Sequence, residues 1–83
     1  MFKIIEWTEN VTDDGKNKVV ETKPDDLHYY FRLLDDDGLI YAYGYSSSDD
    51  DEDAFEPLDA LQDDYGVTEI QYYNQSNKTW ETL

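Results

Sequence analysis

The chain contains no cysteine, one histidine and only six lysines and arginines among its 83 residues. Each shortage removes a class of chemistry. Without cysteine there is no disulfide, no thiolate metal site and no Cys–His nucleophile pair. With His28 as the sole histidine, no histidine cluster for a transition metal can form, and a strand position at a sheet rim is the simpler reading of that residue. The serines at 46–48 have no base partner in the sequence. There is no long apolar run and no basic leader, since Met1-Phe2-Lys3-Ile4-Ile5 passes straight into strand-like sequence. The expectation is a cytoplasmic protein without a signal peptide or membrane span.

Scarce cations against 21 acids leave a net charge of −15. Nucleic acid and anionic membranes repel such a chain, so its expected partner is a basic protein or a cation, with no direct contact to nucleic acid. Thirteen aromatic residues and clear strand alternation argue for a folded domain despite a mean hydropathy of −0.87. A chain of 9.8 kDa exposes about 5,200 Å² when folded against roughly 14,000 Å² unfolded. Residues 1–83 therefore form one domain with one small core.

The organising stretch runs from Leu27 to Tyr45. Two aromatic, β-prone runs, at 28–34 and 39–46, flank Asp35-Asp36-Asp37-Gly38, which reads as a β-hairpin with glycine closing the turn. Before it, Phe2 to Val11 reads as a strand with Ile5 and Trp7 on one face and Phe2 and Ile4 on the other. Asp13-Asp14-Gly15 is a turn signal, and Lys16 to Lys23 is an edge strand whose lysines resist strand addition. After the hairpin, residues 54–65 make a helix with Ala54, Leu58, Leu61 and Tyr65 on one stripe and Glu56, Asp59 and Asp63 opposite. Asp53 with Glu56 makes a capping box, Pro57 delays or kinks the start, and Gly66 ends the helix. Strands at 67–73 and 78–83 follow, the last carrying Trp80. The predicted fold is α+β, two layers, with an antiparallel sheet of five to six strands and one helix packed on one face, in the order β-β-β-β-α-β-β.

No catalytic constellation emerges, and an 83-residue fold with its acids in turns offers little concave surface for a substrate. The reading is a non-enzyme without cofactor. Asp49, Asp51 and Asp53 alternate, but an EF-hand counted from Asp49 would need glycine and glutamate where Ala54 and Ala60 stand. Cation binding to that run is expected to be loose, with no specific metal site.

Fourteen of the 21 acids lie in five runs at turns, connections or the helix end. In an up-and-down meander, Asp13, Asp14, Asp35, Asp36, Asp37, Asp63 and Asp64 gather at one end of the sheet. Asp25, Asp26, Asp49, Asp50, Asp51, Glu52 and Asp53 gather at the other. Glu56, Asp59 and Asp63 join the two poles along the helix. Duplex DNA carries a charge per roughly 100 Å² of outer surface, whereas this net charge spread evenly gives only one per about 340 Å². Mimicry of a phosphate backbone therefore needs the acids to be concentrated. Tyr41, Tyr43 and Tyr45 share one strand face with Leu39, opposite Ile40, Ala42 and Gly44. The small residues suit the face under a helix, which leaves the tyrosines as an uncovered, protein-binding face.

Phe31-Arg32-Leu33, then Gly38, then Gly44-Tyr45-Ser46-Ser47 before a helix resembles the small YegP-like β-β-α domains, which often pair into larger sheets. The resemblance spans residues 31–47 and implies the hairpin-then-helix order and pairing into a dimer, with no functional residue to transfer. In size and charge the chain is similar in kind to phage-encoded inhibitors that occupy DNA-binding grooves, among them anti-CRISPR proteins and uracil-DNA glycosylase inhibitors. Two readings follow. One is an acidic inhibitor, monomer or homodimer, that blocks a basic nucleic-acid-binding enzyme or complex, with the acids at 35–37, 49–53, 56, 59 and 63 replacing phosphates and the tyrosines as anchors. The other is a YegP-like scaffold whose acidity only keeps it soluble; halophilic adaptation would account for the charge in the same bland way.

Overall fold

A computed structural model of the chain describes residues 1–8, 10, 18–19 and 23–83, with residues 18 and 19 described by their backbone. The elements are β1 (Phe2–Trp7), β2 (Lys18–Val19), β3 (Tyr29–Leu34), β4 (Ile40–Ser46), a 3-10 turn (Glu52–Phe55), α1 (Glu56–Tyr65), β5 (Glu69–Asn74) and β6 (Thr79–Thr82). This is the expected α+β order, with one open antiparallel sheet and a helical segment packed on it. The expected Asp13-Asp14-Gly15 turn, Val11 and most of the Lys16–Lys23 strand lie outside the described residues.

The β3–β4 hairpin forms because its turn satisfies itself. Gly38 takes φ +81°, and the Asp35 carboxylate accepts from the backbone N–H groups of Asp37 (2.9 Å) and Leu39 (3.0 Å). The strands are arranged β2-β1-β4-β3-β5-β6, every neighbouring pair antiparallel. This is not a meander. The inner edges of two local hairpins join, so β1 pairs with β4 and not with a strand next to it in sequence. That places the aromatic β4 between two partners and leaves β2 at the edge. With the helix counted as an element, directions still alternate along the chain, so the described connections fall at the same two ends as in a meander. β4 and β5 run the same way on either side of β3, and α1 crosses the sheet to join them.

Two irregularities re-aim side chains. The register of β1 against β4 shifts between Ile4 and Glu6. Phe2, Ile4 and Trp7 then oppose Ser46, Gly44 and Ala42 on the helix side, where strict alternation would have put Trp7 opposite Phe2 and Ile4. A second shift between Leu33 and Leu34 leaves Tyr41 outside the ladder, turned toward the core cluster. An extra residue in one strand reverses the alternation beyond it.

The core lies between sheet and helix: Phe31, Leu33, Ile70 and Tyr72 from the strands, with Ala54 and Val67 from the helical connection. Phe31 packs onto Gly44, whose added Cβ would sit 2.5 Å from the ring and 2.4 Å from the Lys3 carbonyl oxygen. The helical segment starts differently from the expected capping box. Asp51, not Asp53, is the cap, its carboxylate accepting from Asp53 N–H at 3.0 Å. Four residues of 3-10 helix follow, and α1 begins only at Glu56, so that Pro57 falls in its first turn, where a missing N–H costs nothing. Glu56 pairs with the Met1 amine at 2.8 Å. The deeply buried helical residues are Ala54 and Pro57, while Leu58 and Leu61 of the apolar stripe are half-buried. Gly66 ends the helix in the left-handed region at φ +72°.

Candidate binding surfaces

On the face away from the helix, neighbouring strands bring Tyr30, Tyr43, Tyr45, Tyr73 and Trp80 together. Tyr30 stacks on Tyr45 with centroids 4.9 Å apart and on Tyr43 at 5.8 Å. Trp80 reaches it across β5, because the turn at 75–78 sets Tyr73 opposite Trp80. The Arg32 guanidinium lies 4.4 Å above the Trp80 ring and donates through Nε to Gln71 at 2.7 Å. Lys23 stands 5.5 Å over Tyr45. Burial, followed by Tyr43, Tyr45 and Glu6, pushes the Tyr30 phenol up to about 12. Tyr30 is thus stacked on two tyrosines, while Trp80 meets Tyr30, Tyr43 and Tyr73 at steeper angles.

Tyr41 does not belong to it. It packs against the core cluster, and burial together with a hydrogen bond to Asp35 raises its pKa above the usual phenol value. Tyr43 and Tyr45 remain on the open face. Sequence reasoning missed Tyr73, Trp80 and Lys23 as members of this group. The alternation of Tyr73 and Trp80 about a four-residue turn was the signal that could have found the first two.

The acids lie elsewhere. Asp49, Asp50, Asp51, Glu52 and Asp53 surround the helical N-terminus, and Glu56, Asp59 and Asp63 are exposed along α1. Asp35, Asp36 and Asp37 form the β3–β4 turn, beside the α1–β5 link because Thr68 N–H donates to the Leu34 carbonyl at 2.8 Å. Some have local work: Asp35 closes its turn, Asp51 caps the helical segment, Asp50 accepts from the Ser48 hydroxyl at 3.3 Å and Glu56 pairs with the Met1 amine. From residue 33 to residue 77 the sequence has no lysine or arginine. The Met1 amine, 2.8 Å from the Glu56 carboxylate, meets this acidic set at the helix start. The acidic and aromatic sets thus occupy opposite sides of the sheet, so one flat partner cannot cover both.

Where the β3–β5 ladder stops at Phe31–Tyr72, the strands part around a depression of about 440 Å³ lined in part by His28, Tyr29, Asp49 and Glu81. Among the described residues no group of three His, Asp or Glu is placed to hold a metal ion. No helix among them is long and apolar enough to cross a membrane.

The fold and surfaces define a small α+β protein with an acidic helix side and an aromatic sheet side. Comparison with protein-family models, curated proteins and solved structures finds no match.

Proposed function

We propose that the protein is a non-catalytic acidic binding protein whose helix side replaces nucleic-acid phosphates and blocks a basic nucleic-acid-binding surface on another protein. The observation that carries this reading is the segregation of charge. The cation-free stretch 33–77 builds the helix and the turns at both of its ends, while Lys23 and Arg32 are held against rings on the other face. Four residues of 3-10 helix and ten of α-helix span about 23 Å. Over that length duplex DNA carries about 14 phosphates. The helical segment and its flanking turns carry twelve carboxylates: Asp35, Asp36, Asp37, Asp49, Asp50, Asp51, Glu52, Asp53, Glu56, Asp59, Asp63 and Asp64. The concentration that mimicry needs is therefore available on one side. Phe55, 40% exposed within this acidic track, supplies an apolar anchor there in place of the tyrosines.

The test is capture of partners, then affinity against salt for wild type and for a Glu56→Gln, Asp59→Asn, Asp63→Asn variant. The expected partner is a nucleic-acid-binding protein whose complex competes with duplex DNA. Its affinity should fall steeply with salt, as the Debye length drops from about 10 Å at 0.1 M to 3 Å at 1 M, and should fall again in the variant. A partner indifferent to both salt and the helix acids overturns the reading.

A further inference from the structure

We infer that the open aromatic face of the sheet is a self-association surface on which a second copy of this chain docks face to face. No described element covers that face. It carries Tyr30, Tyr43 and Tyr45, the Tyr73–Trp80 pair, and Arg32 laid over the indole. Tyrosine, tryptophan and arginine are the residue types that dominate interface energetics.

Charge selects the occupant. Two copies at −15 repel through most of their surface. The open face differs: the registers put Lys3 opposite Tyr45 and Glu6 opposite Tyr43, Lys23 lies over Tyr45, and Glu69 bonds Gln71 beside Arg32. Among the described residues three cations there meet two carboxylates, so this patch is nearly neutral and of mixed sign. A two-fold contact brings one surface against itself, and a mixed patch lets cations of one copy face carboxylates of the other. Sheets pack about 10 Å apart, and a helix layer on each side adds about 10 Å more. The acidic helices of such a pair lie about 30 Å apart, several Debye lengths at physiological salt. Five strands, β1 and β3 to β6, at about 4.8 Å spacing and about 20 Å length offer roughly 500 Å² per copy. The total of about 1,000 Å² sits at the lower bound for a specific interface, so the dimer is a weak, reversible one.

The experiment is sedimentation of the wild-type chain from about 5 to about 500 µM, the range suited to a small interface, in low and high salt. The expected result is a mass rising from one chain toward two, more readily in high salt, because salt screens the repulsion between like-charged copies. Tyr43→Glu should weaken association at least about tenfold, the size of a central anchor. Because Tyr43 lies within the sheet, an NMR dilution series of the wild type gives a second readout free of any substitution. Concentration-dependent shifts should concentrate at Tyr43, Tyr45, Tyr73 and Trp80 and spare α1. A single chain at the highest concentration in both salts overturns the proposal. So do shifts centred on the helix, or a salt-weakened series that grows past two copies, which would mark ridge-to-face stacking. The phosphate-mimic reading stands or falls separately, since its complex weakens with salt and depends on α1.

Discussion

Gly44 shows most directly how one side chain, or its lack, sets this fold. Its missing Cβ admits both the Phe31 ring and the β1 backbone at Lys3. Gly44→Ala should therefore destabilise by about 1–3 kcal/mol, the usual cost of overpacking, read as a lowered urea midpoint. Tyr72 is a second such position. Its hydroxyl donates to the Ala54 carbonyl at 2.8 Å and ties the helical connection to β5. Tyr72→Phe leaves that carbonyl without its partner and should cost about 1–2 kcal/mol. Burial pushes the Tyr72 phenol up to about 12, with the charges of Asp49, Asp51 and Glu56 adding to it and a bond to Ser46 opposing it. A raised folded-state pKa means that the stabilisation is complete below the unfolded value near 10. It is lost as pH rises through the folded value, because the unfolded chain releases the proton first. Stability should accordingly fall between pH 10 and about 12, with Tyr30 and Tyr72 the last to ionise in an ultraviolet titration. Tyr72→Phe should remove one of those late transitions.

At the scale of the element, the helical segment begins by a different device from the one its sequence suggests. Asp51 caps a 3-10 turn, so Asp51→Ala should cost about 0.5–2 kcal/mol. Asp53→Ala, at an exposed position two residues later, should stay within about 0.5 kcal/mol. Equal losses from the two would argue for the capping box instead. Leu58 and Leu61 pack against the core cluster while half-buried, so truncation to alanine should cost about 1–2 kcal/mol each, below the 2–5 of a fully buried leucine. Ala54, enclosed by the cluster, has no room for a larger residue; Ala54→Leu should be worse than either truncation.

For the molecule as a whole, the cation-free stretch from 33 to 77 concentrates like charge along one side. Self-repulsion of this kind works against the compact state and is screened by salt. The melting temperature should rise as sodium chloride goes from about 10 mM to about 150 mM, where the Debye length falls from 30 Å to about 8 Å. The Glu56→Gln, Asp59→Asn, Asp63→Asn variant should start higher and gain less. A wild-type melting temperature indifferent to salt would mean that the acidic side carries no appreciable strain. The same segregation separates two binding surfaces, one governed by charge and one by apolar contact, whose responses to salt have opposite sign.

Local chemistry written in single residues was legible without the structure. Asp35 to Gly38 specify their own turn, the apolar stripe of the helix follows a 3.6-residue period, and alternation of direction assigns the acidic runs at 35–37, 49–53 and 63–64 to ends of the sheet. These depend on neighbours in sequence, and the α+β class follows from them. Strand order, the two register shifts and the division of surfaces required the tertiary structure. Whether β1 joins β2 alone or also β4 is decided by long-range pairing, which leaves no periodic mark on either strand. One extra residue in a ladder then reverses the faces beyond it, bringing Trp7 beneath the helix beside Tyr65 and taking Tyr41 off the aromatic face. Composition alone determined that this protein is strongly acidic; only the folded sheet decided that the helix acids and the aromatic cluster of Tyr30, Tyr43, Tyr45, Tyr73 and Trp80 lie back to back, because a two-layer domain covers one face of the sheet with the helix and leaves the other uncovered.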